Sequence, residues 1–242
     1  MKECLVVELG LIGYAEAAAL QKQIVAARKA GAVPDVLLLC EHPHVITLGR
    51  NGKRENLLAN DHVLHQMGVE FHHSDRGGDI TYHGPGQIVG YPIVKLDEIR
   101  RDVVWYVRQL EEAMIRASAE FGIAAGRVEG KTGIWVDAPG RGKEKLAAIG
   151  VHLSRWVTSH GFACNVATDL RHFDLIVPCG ITDCRAASLE SLLGRAVDKQ
   201  VVAQKIVAHL GEVFGLRMRA ADCEELESHL AVPAPVCVQS SS

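Results

Sequence analysis

Cys179 sits in the run Phe173-Asp-Leu-Ile-Val-Pro-Cys-Gly-Ile181, directly after Pro178 and before Gly180. Proline fixes its own φ, and the glycine lets the chain turn tightly. Such a backbone holds the sulfur in one place. It also leaves the amide N–H groups at and after Cys179 free to face a developing oxyanion. The chemistry this suits is nucleophilic attack by a thiolate. A free thiol with a pKa of about 8.5 is only a few per cent ionised at neutral pH, so it needs a nearby base or cation. His83, His160 and Lys145 are the candidates. Lys145 lies in Lys143-Glu-Lys-Leu-Ala-Ala-Ile-Gly150, at the mouth of an apolar strand. Partial desolvation there would lower the pKa of its ammonium and allow proton exchange.

A second polar cluster is the run Arg76-Gly-Gly-Asp-Ile-Thr-Tyr-His-Gly-Pro-Gly-Gln87. Its four glycines permit unusual backbone angles and close approach of a ligand, and Pro85 stiffens the turn. It reads as a rigid loop that presents Arg76, Asp79, Thr81, Tyr82 and His83 between two apolar segments. The Gly130-Lys131-Thr132 triplet does not make a phosphate loop. That motif needs a glycine five positions before its second one, but position 125 is Ala and no helix follows. A G-x-S-x-G nucleophile elbow is absent from the sequence.

These groups must be carried by regular elements. Ala17, Leu20, Ile24 and Ala27 share one helical face. So do Val103, Val107, Leu110, Met114 and Phe121, and again Val202, Ile206, Leu210 and Val213, with Asp198 as N-cap of the last helix. Strands are expected at Leu5–Leu9, Val36–Cys40, Val69–His73, Gln87–Val94, Thr132–Val136, Leu146–Leu153 and Val157–Ala163. Only Ser154-Arg-Trp156 separates the last two, which requires an antiparallel hairpin because a parallel pair needs a long crossover. The expected architecture is α/β (α+β), with a mixed, largely antiparallel sheet flanked by helices and not a doubly wound parallel one.

The 242 residues are 48% hydrophobic and 23% charged, with a formal net charge of −3. That balance gives no electrostatic case for nucleic acid or an anionic membrane. The N-terminus runs straight into a strand-like segment without a signal-peptide hydrophobic region, so a cytoplasmic location is expected. The seven cysteines form no C-x-x-C pair, and the His42/His44 and His72/His73 pairs lack a Cys or carboxylate at ligand spacing. No metal is expected.

Taken in order, the 76–87 run, Lys145-Leu-Ala-Ala-Ile-Gly150, His160-Gly-Phe-Ala-Cys-Asn165 and Ile176-Val-Pro-Cys-Gly180 resemble the octanoyltransferase family of lipoate biosynthesis. Glu41-His-Pro-His-Val-Ile-Thr-Leu-Gly-Arg50 is similar to that family's N-terminal signature, and the resemblance spans roughly residues 5 to 215. It implies a fold similar to the catalytic module of biotin and lipoate protein ligases. It implies one catalytic domain over residues 1–220, with 221–242 a loose extension. The implied activity moves an octanoyl group from octanoyl-acyl carrier protein to a lysine of lipoyl domains, without a cofactor. The acceptors would be the 2-oxoacid dehydrogenase complexes and the glycine-cleavage H protein. Carried over motif by motif, Cys179 is the nucleophile and Lys145 its activating partner, as an ion-pair partner or as a neutral base. Arg76, Gly77, Gly78, Asp79, Ile80, Thr81, Tyr82 and His83 would line the thioester site. Ala148, Ile149, Gly150, Gly161, Phe162 and Ala163 would touch the acyl group. Ile80, Ala148, Ile149 and Phe162 are the expected walls of the acyl groove. Arg50 and Arg76 are expected to meet phosphate or carrier-protein charges. Two residues depart from the pattern. Cys164 stands where the family usually has leucine, and Cys184 has no assigned counterpart, so both are candidates for adventitious disulfide formation or alkylation.

Overall fold

In the computed structural model, which describes residues 1–138, 140, 142–177 and 185–230, the Ser154–Trp156 link closes an antiparallel hairpin. Its two central residues, Arg155 and Trp156, have φ of 51° and 64°. A left-handed pair of this kind matches the twist of the flanking strands. The full order is β1 (Lys2–Leu11), α1 (Tyr14–Ala30), β2 (Asp35–Glu41), β3 (Val45–Leu48), α2 (Asp61–Gln66), β4 (Glu70–His73), β5 (Ile80–His83), β6 (Gln87–Ile93), α3 (Val103–Ala119), β7 (Ala125–Val128), β8 (Lys131–Ala138), β9 (Gly142–Ser154), β10 (Val157–Asn165), β11 (Arg185–Ala186), α4 (Leu189–Leu193), α5 (Lys199–Phe214), β12 (Leu216–Ala220) and α6 (Cys223–Ser228).

The large sheet runs β12-β1-β2-β6-β10-β9-β8-β7, with the short β11 added to β9. Pairing is parallel at β12-β1-β2 and at β11-β9, and antiparallel from β2 onward to β7. This is the mixed, mostly antiparallel sheet that the sequence implies. A separate three-stranded sheet has the order β4-β3-β5. The 76–87 run is therefore not loop throughout: residues 80–83 are strand β5.

The strands of the large sheet alternate, so each feeds two layers. Leu37, Leu39, Ile134, Val136, Phe162 and Cys164 face α3 and α5 and join Leu110, Met114 and Leu210 in the main core. Leu38, Val89, Tyr91 and Ala163 lie on the other face, where Leu20 and Ile24 of α1 cover the β1–β2–β6 part. Asp102 and Asp198 cap α3 and α5, accepting hydrogen bonds from Trp105 N (2.9 Å) and Gln200 N (2.8 Å). The segment after Ala220 is not loose where it is described. Ala221 N donates to Val6 O at 2.9 Å, and α6 buries Leu226 against the α1-side core. Burial of Leu226, the Asp222 cap on Glu225 N and the Arg219–Glu225 ion pair together offset the entropy of ordering so short a helix. Residues 231–242 lie outside the described residues. Among the described residues no helix is long and apolar enough to cross a membrane.

Candidate active site

On the α1 side of the large sheet, α1 reaches across β6 onto part of β10 but does not extend over β9 and β8. The small sheet and its loops lie there instead, and a cavity of about 480 Å³ separates the two layers. Small side chains make this room. Gly161 pairs with Gly150 and Ala163 with Ala148, and all four line the cavity. Gly150 is also a point of close approach. A Cβ there would lie 2.8 Å from Gly77 O, and Gly77 N donates to Val151 O at 2.9 Å, so the 76–78 turn is pinned directly onto β9.

A β-bulge aims Lys145 at the cavity. Ile134 pairs with Ala147 and Trp135 with Lys145, so Leu146 is the extra residue on β9. Leu146 and Ala147 are both fully buried in the main core. Alternation breaks at that point, and Lys145 falls on the face of Ala148 and Gly150. Its Nζ stands 4.6 Å from the centre of the Trp135 ring, and Lys131 Nζ stands 5.1 Å from the same centre. Cys179 and Cys184 lie outside the described residues. The chain on either side of 178–184 is tied to the site: Val177 N donates to Asn56 O (2.8 Å), and Ala187 N donates to Lys145 O (2.9 Å).

The opposite side is a network of buried polar groups. Gln87 Nε2 donates to Asn165 Oδ1 (2.9 Å) and to Tyr82 O (3.2 Å), so Gln87 Oε1 is the acceptor for His83 Nδ1 at 2.7 Å. Asn165 Nδ2 in turn donates to Ala187 O (2.9 Å). These contacts fix the His83 tautomer with the proton on Nδ1 and the lone pair on Nε2. Burial, reinforced by neighbouring His42, holds the His83 pKa down at about 3, so the ring is neutral at physiological pH. His42 is fixed in the same way: its Nδ1 donates to Ile12 O, and Tyr91 OH donates to its Nε2, both at 2.7 Å. His160 carries a positive φ of 55°, an uncommon backbone for a residue other than glycine. Two bonds hold it there: its N donates to Gln21 Oε1 (2.8 Å) and its Nε2 to Asp75 Oδ1 (2.7 Å). Burial lowers the pKa of His160 despite the carboxylate beside it.

Of the residues singled out from the sequence, Arg76, Gly77, Gly78, Asp79, Ile80, Thr81, His83, Lys145, Ala148, Ile149, Gly150, Gly161, Phe162 and Ala163 all border the cavity. Tyr82 does not. Period-two alternation sends it to the far side of β5, where its OH meets His44 Nδ1 (2.7 Å) and its ring stacks on His172, 5.0 Å between centres. Ile80 follows the same alternation and packs mainly in the core of the small sheet. Arg76 is buried and structural. Its Nε and Nη2 donate to Thr47 Oγ1 (3.2 and 2.9 Å), and Nη2 also donates to Thr47 O (2.8 Å). Arg50 is exposed. Cys164 is buried in the main core with its thiol pKa pushed up by burial to about 12, which makes it inert to alkylation and disulfide exchange. Sequence reading missed Tyr14, Tyr91, Lys131, Trp135, Asn165 and Arg185 at the cavity. Asn165, a polar residue ending an apolar strand, carried the clearest signal.

A sequence model of the lipoyl protein ligase A/B catalytic domain matches residues 13–211. An octanoyltransferase from Solibacter usitatus is 51% identical over 218 residues, covering 90% of this chain and 96% of that protein. The chain belongs to the octanoyltransferase family. Another member of the family, from Acidobacterium capsulatum, is 52% identical over 86% of this chain and 88% of its own. The fold is shared more widely. A bipartite lipoate protein ligase from Thermoplasma acidophilum, described with its E2 lipoyl domain, superposes with a TM-score of 0.75 at 16% identity, covering 95% of this chain and 91% of that one. A biotin protein ligase from Aquifex aeolicus gives 0.51 at 12% identity, covering 89% and 70%. Octanoyltransferase membership makes the protein a transferase of lipoate metabolism. The cavity between its two sheets is the candidate place for the chemistry.

Proposed function

We propose that this octanoyltransferase takes the octanoyl group from octanoyl-acyl carrier protein and passes it to a lysine of a lipoyl domain through an acyl-Cys179 intermediate. The observation that carries the reading is the placement of Lys145. A bulge turns it into a cavity walled by Ala148, Ile149, Gly150, Gly161, Phe162 and Ala163, and its carbonyl binds the strand that follows the Cys179 segment. In the first half-reaction the Cys179 thiolate attacks the thioester carbonyl. A new C–S bond forms, the carrier's C–S bond breaks, and the carrier leaves as a thiol. One thioester replaces another, so the step is nearly balanced and needs no ATP. In the second, the acceptor amine attacks, an amide forms, and Cys179 leaves. An amide is more stable than a thioester, which draws the sequence forward. Lys145 holds the thiolate, or takes its proton, and exchanges protons with the incoming amine. Each methylene of the chain buried along the apolar walls contributes about 0.8 kcal/mol.

The acceptors in this reading are lipoyl domains of 2-oxoacid dehydrogenase complexes and the glycine-cleavage H protein, and the reaction is cytoplasmic. Intact mass after incubation with octanoyl carrier protein, with the modified residue mapped, tests it. The expected result is one octanoyl adduct on Cys179, formed without ATP and lost in Cys179→Ser. Transfer at near wild-type rate by Cys179→Ser would overturn the proposal. So would a requirement for ATP and free octanoate, which is the signature of a ligase.

A further inference from the structure

Three cations line the cavity without a carboxylate counter-charge among the described residues. Lys131, Lys145 and Arg185 line it, and among the described residues none has a carboxylate within 4.0 Å. Cations on the same or adjoining strands behave differently. Arg127, in β7, pairs with Glu111 (3.0 Å) and Glu112 (2.8 Å), and Lys143 pairs with Asp137 (2.8 Å). Lys131 and Lys145 share one indole, which attracts a cation but does not neutralise it. Arg185 is exposed and pairs in register with Glu144, the residue before Lys145. The chain as a whole is negative, at −3. Like charges gathered at one opening raise the energy of the free protein and create a field that favours an anionic visitor.

Reach decides which visitor. This step rests on the acyl-transfer reading above. A protein lysine carries its amine on only four methylenes. When that amine meets the acyl carbon beside Lys145, the residues on either side of the acceptor lysine are brought to the mouth. A carrier protein presents its thioester at the tip of a much longer phosphopantetheine arm. With the thioester in place, the arm's phosphate is held well beyond the mouth. We propose that Lys131 and Arg185 form a docking site for acidic residues flanking the acceptor lysine, and that they select the lysine to be modified. The same cations would reject a lysine set among basic neighbours, because like charges would be forced together.

The two half-reactions separate this from the underlying reading. The enzyme is first acylated with octanoyl carrier protein and followed by intact mass, then offered an isolated lipoyl domain. In the double variant Lys131→Ala/Arg185→Ala, the KM for the lipoyl domain is expected to rise about tenfold with kcat little changed, and its salt dependence to flatten. Acylation by the carrier protein should change by less than about twofold, against that tenfold effect on the acceptor. The charge-keeping pair Lys131→Arg/Arg185→Lys should retain the wild-type acceptor KM, which guards against a folding defect. Lys131→Glu/Arg185→Glu should lose more, and should regain activity with a lipoyl domain whose flanking carboxylates are replaced by arginine. An unchanged acceptor KM in the alanine pair overturns the proposal. So does a loss confined to acylation, which would assign the cations to the carrier protein. Failure of the wild-type enzyme to acylate at all would instead sink the acyl-transfer reading.

Discussion

The two sides of the cavity are built on opposite principles. On the side of His83, Gln87, Asn165, His42 and Tyr91, buried polar atoms are linked by directed hydrogen bonds, and the tautomers follow from the partners. On the side of Lys131, Lys145 and Arg185, charges are gathered with no carboxylate partner among the described residues. The first side spends its bonding capacity within the protein and fixes a shape. The second keeps its capacity for something that arrives. A saturated network contributes rigidity, and an unsaturated one contributes recognition and reactivity.

The sharpest way to break this contrast is Lys145→Ala. Removing a group that exchanges protons at the reacting centre should lower octanoyl transfer by about 10² to 10⁴ fold. The melting temperature should stay near wild type, since among the described residues Lys145 has no carboxylate partner to lose. Transfer kinetics and thermal unfolding on one sample check both halves, and unimpaired transfer would remove Lys145 from the chemistry.

The next largest effect is on the other side, and it is a pH effect. The His83 pKa is lowered from 6.5 to about 3 by burial, so the unfolded chain binds a proton in that interval and the folded one does not. The stability from keeping His83 neutral is fully present above about pH 6.5 and is lost as pH falls toward 3. It amounts to up to about 5 kcal/mol. His83→Gln should flatten denaturant-measured stability between pH 6.5 and 4. A variant with the wild-type slope would show that the ring is not held neutral.

Gln87→Leu tests the network at neutral pH. It strands the His83 N–H and the Asn165 carbonyl away from water, at a cost of about 2–3 kcal/mol in chemical denaturation. Lys131→Met is the smallest and the most contrasting change. An unpaired cation contributes little to the fold, so stability should shift by less than about 0.5 kcal/mol. A large loss there would mean that the mouth is structural after all.

Much of this site was legible from residue types. The order of the glycine-rich run, Lys145 and the Asn165 strand carried the family, and the three-residue link after Ser154 carried the antiparallel pairing. The helices at 103–119 and 199–214 followed from apolar spacing and their aspartate caps. What escaped was set by tertiary contacts. Tyr82 seemed to belong with its neighbours in the run, but a strand sends alternate residues to opposite faces, and β5 was hidden among glycines. Arg76 looked like a free cation because nothing local shows that Thr47 awaits it. Trp135 and Lys131 matter through a ring shared with Lys145, a coincidence of two strands that no linear pattern displays. The helix at 223–228 is short and polar, and its place depends on Leu226 finding the core and on Arg219 pairing with Glu225.

The bulge at Leu146 has a consequence for how this strand tolerates length changes. In a regular strand, face is a matter of odd and even. Between Lys145 and Ala148 that parity is broken once, so two adjacent residues enter the core. A chain with Leu146 deleted would restore strict alternation and still present Lys145 to the cavity, losing one core side chain but not the orientation of its amine. A chain with one residue inserted beside Leu146 in a regular ladder would have to choose between the core and the cavity. Length variation at this point is therefore asymmetric: shortening costs packing, and lengthening endangers the position of the amine itself.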